Sequence, residues 1–250
     1  MSDSPVSSSD QHEQGSDHQH DHDHDHDHDH EIAHPIFATL YDLAPESRLL
    51  APHREYLTRD LSGRLLEVGC GNGELFPFVA EGGDDDLEYH AIEPDPYMRR
   101  RAVRNAREGE VAVDLRDARA ESLPYPDDAF DVVVSSLVFC TVQDAEAALS
   151  EVARVLKPDG EFRFLEHVRA DGWRGAGQDA LTPLWKGVAA GCHLNRNTVD
   201  RFVGHEAFEA VDVDRLEFGL FPVTPIVRGT LRRRRTERVD LSALGTPFDP

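Results

Sequence analysis

Three glycines at alternate positions, Gly69, Gly71 and Gly73, end the apolar run Leu65-Leu66-Glu67-Val68. Glycine at such a stop lets the backbone turn with positive φ and lets a ligand approach the main chain closely. Two phosphate-binding patterns are excluded. The dinucleotide fingerprint needs glycine at position 74, which is Glu74, and no Gly-Lys-Ser/Thr follows for a P-loop. Glu93 lies twenty residues beyond Gly73, after a second apolar run, Tyr89–Ile92. A carboxylate at that offset can accept hydrogen bonds from both hydroxyls of a ribose. Glu166-His167 follow a later run, Glu161–Leu165. There an imidazole can take a proton near neutral pH and a carboxylate can orient or anchor an acceptor. A plain surface pair at a strand end is the competing reading. Cys192-His193 are adjacent and so lack the usual spacing of metal ligands, while Cys70 and Cys140 sit in a glycine loop and at a strand end. No metal is therefore expected in the folded part.

The elements that must carry these residues follow from periodicity. Strands are expected at Leu65–Val68, Tyr89–Ile92, Val111–Leu115, Asp131–Ser135 and Glu161–Leu165, with a final pair at Val211–Phe218 and Pro225–Leu231. The unbroken Val132-Val133-Val134 suits a strand buried on both faces. Helices are expected from Glu74, over Pro96–Arg107, over Asp144–Val155 and near Thr198–Glu206, with short helices between Pro35 and Leu57. Lys157-Pro158-Asp159-Gly160 reads as a turn. Strands alternating with helices predict an α/β fold built on a doubly wound, mostly parallel sheet, with ligands beyond the carboxyl ends of its strands.

Composition narrows the function classes. The 250-residue chain has a formal net charge of −22, and its only lysines are Lys157 and Lys186. Ten of the acids fall within residues 1–34, so the remainder is acidic in its own right. That balance suits a hydrated surface at high salt, a halophilic trait, and argues against a duplex nucleic-acid partner. Only the run Arg232–Arg235 dissents. No apolar stretch is long enough to span a membrane and no signal peptide is evident. Three scattered cysteines suggest a reducing, cytoplasmic setting. Residues 1–31 are almost devoid of apolar side chains and are expected to be disordered. Within them His18, His20, His22, His24, His26, His28 and His30 alternate mainly with Asp, a His-rich pattern able to bind divalent metal ions or simply to solvate the tail. A domain is expected over residues 32–235, followed by a loose tail at 236–250.

The glycine spacing at 69–73 resembles motif I of the class I S-adenosylmethionine (SAM) methyltransferases. Arg119-Ala120-Glu121-Ser122-Leu123-Pro124-Tyr125-Pro126-Asp127-Asp128-Ala129-Phe130-Asp131 is similar to the segment that lines the adenine in their type 11 branch. Ser135–Val142, Leu156–Gly160, Glu166-His167-Val168 and Gly191–Arg196 resemble a narrower group that includes small-molecule thiol methyltransferases of animals. The resemblance implies a Rossmann-like, seven-stranded sheet with its last strand antiparallel, SAM as cofactor and a small-molecule methyl acceptor, a thiol among the candidates. It implies donor contacts at Glu67, Gly69, Cys70, Gly71 and Gly73, at Glu93 and Pro94, and at Ala120, Glu121, Ser135 and Leu137. Tyr41, in a segment resembling the lid over SAM, completes that set. Catalytic roles fall to Glu166 and His167. Many relatives carry Asp just before the alanine of the adenine segment; here Arg119 stands there, leaving Asp117, Glu121 or the backbone of Ala120 to meet the adenine amino group. The animal members' membrane segment is not carried over. Two other readings stay open: a metal-handling protein that works through its tail, and a SAM-binding protein without catalysis.

Overall fold

The computed structural model describes residues 46–216 and 221–235. In chain order the elements are α1 (Glu46–Thr58), β1 (Arg64–Val68), α2 (Phe76–Gly82), β2 (Glu88–Ile92), α3 (Pro96–Glu108), β3 (Asp114–Arg116), β4 (Phe130–Ser136), α4 (Ala145–Val155), β5 (Leu156–His167), α5 (Gly172–Val188), α6 (Thr198–Gly204), β6 (Phe208–Leu216) and β7 (Ile226–Arg233). The strands form one sheet in the order β3-β2-β1-β4-β5-β7-β6. Every pairing is parallel except those of β7, which runs antiparallel to both β5 and β6. The chain reverses direction across the sheet between β1 and β4, and a crevice opens at that point in folds of this kind.

Alternation along the central strands explains why both faces are covered. Leu65, Tyr89, Val132, Val134 and Leu165 join Leu57 of α1, Phe76 of α2 and Ala102 of α3 in one core cluster. Leu66, Val68, Val133, Phe162 and Phe164 join Leu149 and Val152 of α4 and Phe202 of α6 in the other. Fully burying one such Leu or Phe contributes roughly 1.5–3 kcal/mol. The two sheet edges are built differently from the centre. β3 is only three residues long, and β6 exposes most of its length, including Glu209 and Asp214. Short or charged edges discourage further strand addition.

Two helices that start beside the crevice are capped by aspartates. Asp95 accepts from the amides of Tyr97 and Met98 at 2.8 and 3.1 Å, and Asp144 from those of Glu146 and Ala147 at 3.0 and 3.1 Å. Such a cap contributes about 1 kcal/mol.

Two local expectations change. The turn at Lys157–Gly160 exists but does not precede β5; it bulges out of it. Phe130 pairs with Leu156 and Val132 with Glu161, so the extra residues are accommodated with Asp159 at φ +66°. The third strand forms at Asp114–Arg116, later than the Val-rich Val111–Leu115, because Val111 is drawn back to close α3 through its amide to Ala106 O at 2.8 Å. The expected tails, and the lid segment containing Tyr41, lie outside the described residues.

Candidate active site

The glycine loop leaves β1 at the point where β1 and β4 part. Gly69 has φ +68° and Gly71 φ +58°. A Cβ on Gly69 would stand 2.7 Å from the Val138 side chain, so only glycine lets the β4–α4 loop approach this closely. The Cys70 amide donates to Ile92 O at 3.0 Å and the Gly73 amide to Cys70 O at 2.8 Å, closing the turn against the end of β2.

Glu93 meets that turn directly. The Gly71 N–H donates to Glu93 Oε2 at 2.8 Å, and the Asp95 N–H donates to Oε1 at 2.9 Å. Glu93 is 8% exposed, and burial pushes its carboxyl up to about 7 even though both amides favour the charged form. Arg99 donates to the carbonyls of Glu93 and Pro94 at 2.6 and 3.1 Å and to Asp117 at 2.7 Å, fixing the turn that carries them. Glu67, one residue before the end of β1, is buried and accepts from the Tyr89 hydroxyl; burial also raises its carboxyl to about 7. Cys70 is a buried free thiol raised well above its ordinary range by burial.

The adenine-type segment is clamped from α4. Glu151 accepts from the Leu123 amide at 2.7 Å, and Arg154 donates to the carbonyls of Tyr125 and Leu123 at 2.8 and 3.1 Å. Ala120 is buried beneath it. Glu121 Oε1 accepts from the amides of Gln143 and Asp144 at 2.8 and 3.3 Å, joining the segment to the start of α4. Asp117 is engaged by Arg99. Neither local patterning nor spacing points to Glu151 or Arg154; they reach the segment only because α4 packs beside it.

At the ends of β4 and β5 the Glu166-His167 pair divides its work. Glu166 is fully buried, and its Oε1 accepts from the Ser135 hydroxyl at 3.2 Å and from the amides of Val138 and Phe139 at 2.9 and 3.0 Å. Through that one oxygen it braces the loop. That loop needs a brace, because Leu137 is held at φ +59°, a conformation costing roughly 1–3 kcal/mol. Asp131 has a similar structural task at the other end of β4, accepting from the Arg64 amide at 2.9 Å and from Lys157 at 2.7 Å.

His167 instead faces a thiol. Its Nε2 lies 2.8 Å from Cys192 Sγ. The neighbouring Cys140 thiol first, and the His167 imidazole with it, hold the Cys192 thiol well below its ordinary range, while Cys140 is raised by Cys192 and by burial. His193, next to Cys192, turns away: its Nδ1 is 3.2 Å from Cys140 O, and burial with Arg196 lowers its pKa. Arg196 donates to the carbonyls of Phe139 and Val142 at 2.5 and 2.8 Å, tying the α5–α6 connection to the β4–α4 loop. The sequence pairs Cys192 with His193; the fold pairs it with His167 and Cys140.

A glycine turn joined to an acidic residue at the end of β2, beside the point where the strand order reverses between β1 and β4, and a mostly parallel sheet closed by an antiparallel strand define a class I methyltransferase. Comparison with known proteins agrees. Residues 66–164 match the family described as "Methyltransferase domain". The human thiol S-methyltransferase TMT1A is 37% identical over 139 residues, 54% of this chain and 55% of that protein. The mouse thiol S-methyltransferase TMT1B is 33% identical over 176 residues, 66% of this chain and 70% of that protein. The chain belongs to this family of SAM-dependent methyltransferases, and SAM is its cofactor. It spans only about half the length of the TMT1A protein it matches. In solved structures, the YcgJ protein of Bacillus subtilis superposes with a TM-score of 0.59 at 17% identity, covering 76% of this chain and 99% of that one. The geranyl diphosphate C-methyltransferase of Streptomyces coelicolor, solved with S-adenosyl-L-homocysteine, superposes with a TM-score of 0.58 at 15% identity, covering 74% and 78%. These two likenesses establish the fold. No helix among the described residues is long and apolar enough to cross a membrane.

Proposed function

We propose that the chain transfers the methyl group of SAM to the sulfur of a small-molecule thiol in a reducing, cytoplasmic setting. The donor half rests on one observation, the Gly71 amide hydrogen-bonded to Glu93 at 2.8 Å. In this reading the loop Gly69–Gly73, with Glu67 and Cys70 beneath it, receives the amino-acid end of SAM. Glu93 takes the ribose hydroxyls from the turn that Pro94 begins. The backbone at Ala120 lies along the adenine, and Glu121 contributes by fixing that backbone to α4. Ser135 and Leu137 form the wall between donor and acceptor.

On the acceptor side His167 is the group nearest the chemistry, and Glu166 is a positioning residue that acts through the loop it braces. The thiolate sulfur attacks the methyl carbon as the carbon–sulfonium bond breaks, and that bond's electron pair stays on the departing S-adenosylhomocysteine. A thiolate needs little base assistance, so alignment of donor and acceptor supplies much of the rate. The names of the TMT1A and TMT1B relatives, both thiol S-methyltransferases, favour sulfur over nitrogen or oxygen.

The test is an acceptor screen. Protein in concentrated salt is incubated with SAM and with thiols, amines and phenols, and products are detected by mass. S-methylated thiols are the expected products. Methylation confined to amines or phenols contradicts the thiol assignment.

A further inference from the structure

We propose that Cys140, His167 and Cys192 form a binding site for a zinc-class divalent cation, with two thiolates and one imidazole as its protein ligands. The three residues come from the β4–α4 loop, the end of β5 and the connection after α5. All are buried, and their ligand atoms lie within 4.8 Å of one another. Around a tetrahedral zinc, sulfur at about 2.3 Å and nitrogen at about 2.0 Å place ligand atoms roughly 3.3–3.8 Å apart. The cluster is therefore near coordination size, and the 2.8 Å contact between His167 Nε2 and Cys192 Sγ opens by about 0.7 Å when an ion enters. Thiolate and imidazole donors select zinc-like ions over magnesium or calcium. Arg196 and Glu166 hold the loop that carries Cys140 from two sides, so that ligand is set before any ion arrives.

Three protein ligands leave one tetrahedral position open, the pattern of sites where an exogenous ligand binds the metal. The three ligands themselves lie at or beyond the carboxyl ends of β4 and β5. If the acceptor is a thiol, its sulfur can occupy the open position. The thiol releases its proton to solvent on coordination, and the bound thiolate then attacks the methyl carbon of SAM as the methyl–sulfonium bond breaks and S-adenosylhomocysteine departs with that electron pair. The thioether formed is uncharged and leaves, and the ion stays divalent throughout. This last role rests on the thiol reading above; the metal site itself does not.

Cobalt(II) separates this site from the His/Asp-rich segment, which contains no sulfur ligand of the cysteine type. Full-length protein, reduced with a phosphine and stripped of metal, is titrated with Co²⁺. A thiolate-to-cobalt charge-transfer band in the near ultraviolet is expected, bleached by Zn²⁺. It should be lost or strongly reduced in Cys140→Ser and Cys192→Ser and retained in Cys70→Ser. His167→Gln keeps both thiolates, perturbs packing less, and should weaken Co²⁺ binding at least about tenfold. Absence of the band in protein whose circular dichroism is that of the folded chain overturns the site. So does a band that survives in both Cys140→Ser and Cys192→Ser, or unchanged affinity in His167→Gln. Addition of benzenethiol should intensify the band in the wild type and not in Cys192→Ser; no change removes the acceptor role alone. Binding of S-adenosylhomocysteine to the same metal-free sample reads the donor site independently, so the two failures are distinguishable.

Discussion

At the scale of single residues, the buried carboxylates set the pH behaviour. Glu93 has a carboxyl raised to about 7, and two ribose hydroxyls donate more strongly to its charged form. Ligand binding should therefore pull its pKa down and release a proton near neutrality. Titration calorimetry in buffers of different ionisation enthalpy should register that proton at pH 6.5, and affinity for S-adenosylhomocysteine should rise from pH 6 to pH 8. A flat profile removes Glu93 from the ribose contact. Glu67 gives the matching stability statement. Its folded-state carboxyl is raised from 4.5 to about 7, so its favourable contribution is present below the unfolded value and is lost as pH rises through about 7. Glu67→Gln, which still accepts from Tyr89, should raise Tm at pH 8 and do so much less at pH 4. The meeting of the glycine loop and Glu93 is legible in the sequence because short chain spacing places both at neighbouring strand ends. The two backbone amides that donate to Glu121 Oε1 are not legible there, because only the packing of α4 brings them to it.

At the scale of elements, the β4–α4 loop is the part of the site under tension. Leu137 is held in a left-handed conformation, and Glu166 secures the loop by accepting three hydrogen bonds on one oxygen. Removing that acceptor strands buried amides at a cost of roughly 1–3 kcal/mol each. Glu166→Ala should lower Tm by several degrees and reduce kcat, whereas Glu166→Gln, which keeps one acceptor oxygen, should retain most of the stability. Equal losses in the two variants would contradict the bracing role. Gly69→Ala tests the same junction from the other side. Its Cβ would meet Val138 at 2.7 Å and its φ is +68°, so strongly impaired donor binding or folding is expected. Strand and helix positions in this region follow from periodicity because Val132–Val134 and the apolar spacing of α4 are strong local signals. The Cys140–His167–Cys192 cluster gives none. Its members lie far apart in the chain, and the adjacent Cys192-His193 points to the wrong partner.

At the scale of the whole molecule, charge dominates. The chain carries −22, and three of the four arginines in the run 232–235 meet its own acids while Arg234 donates to the Phe208 carbonyl. Arg232 lies 3.9 Å from both Glu161 and Glu209, Arg233 pairs with Asp128, and Arg235 pairs with Asp159. Those contacts explain why four consecutive arginines need not signal a nucleic-acid partner. The remaining surface repels itself, and that repulsion is screened within about 10 Å at 0.1 M salt and about 3 Å at 1 M. Tm measured by calorimetry should climb as sodium chloride rises from about 0.1 to about 2 M. A Tm that falls or stays level would show that self-repulsion does not limit this fold. The sheet is legible as alternating strands and helices, since both faces of the central strands are apolar. The exposed β6 is harder to place because an edge strand need not alternate.

The donor site is tested most directly by calorimetric titration of wild-type protein and Glu93→Ala with S-adenosylhomocysteine in concentrated salt at pH 8. One site per chain is expected in the wild type, with affinity at least about tenfold weaker in the variant, since a hydrogen bond to a charged group contributes roughly 1.5–3 kcal/mol. Folded wild-type protein that takes up no ligand, or a variant that binds as tightly, would contradict the assignment of this crevice to the methyl donor.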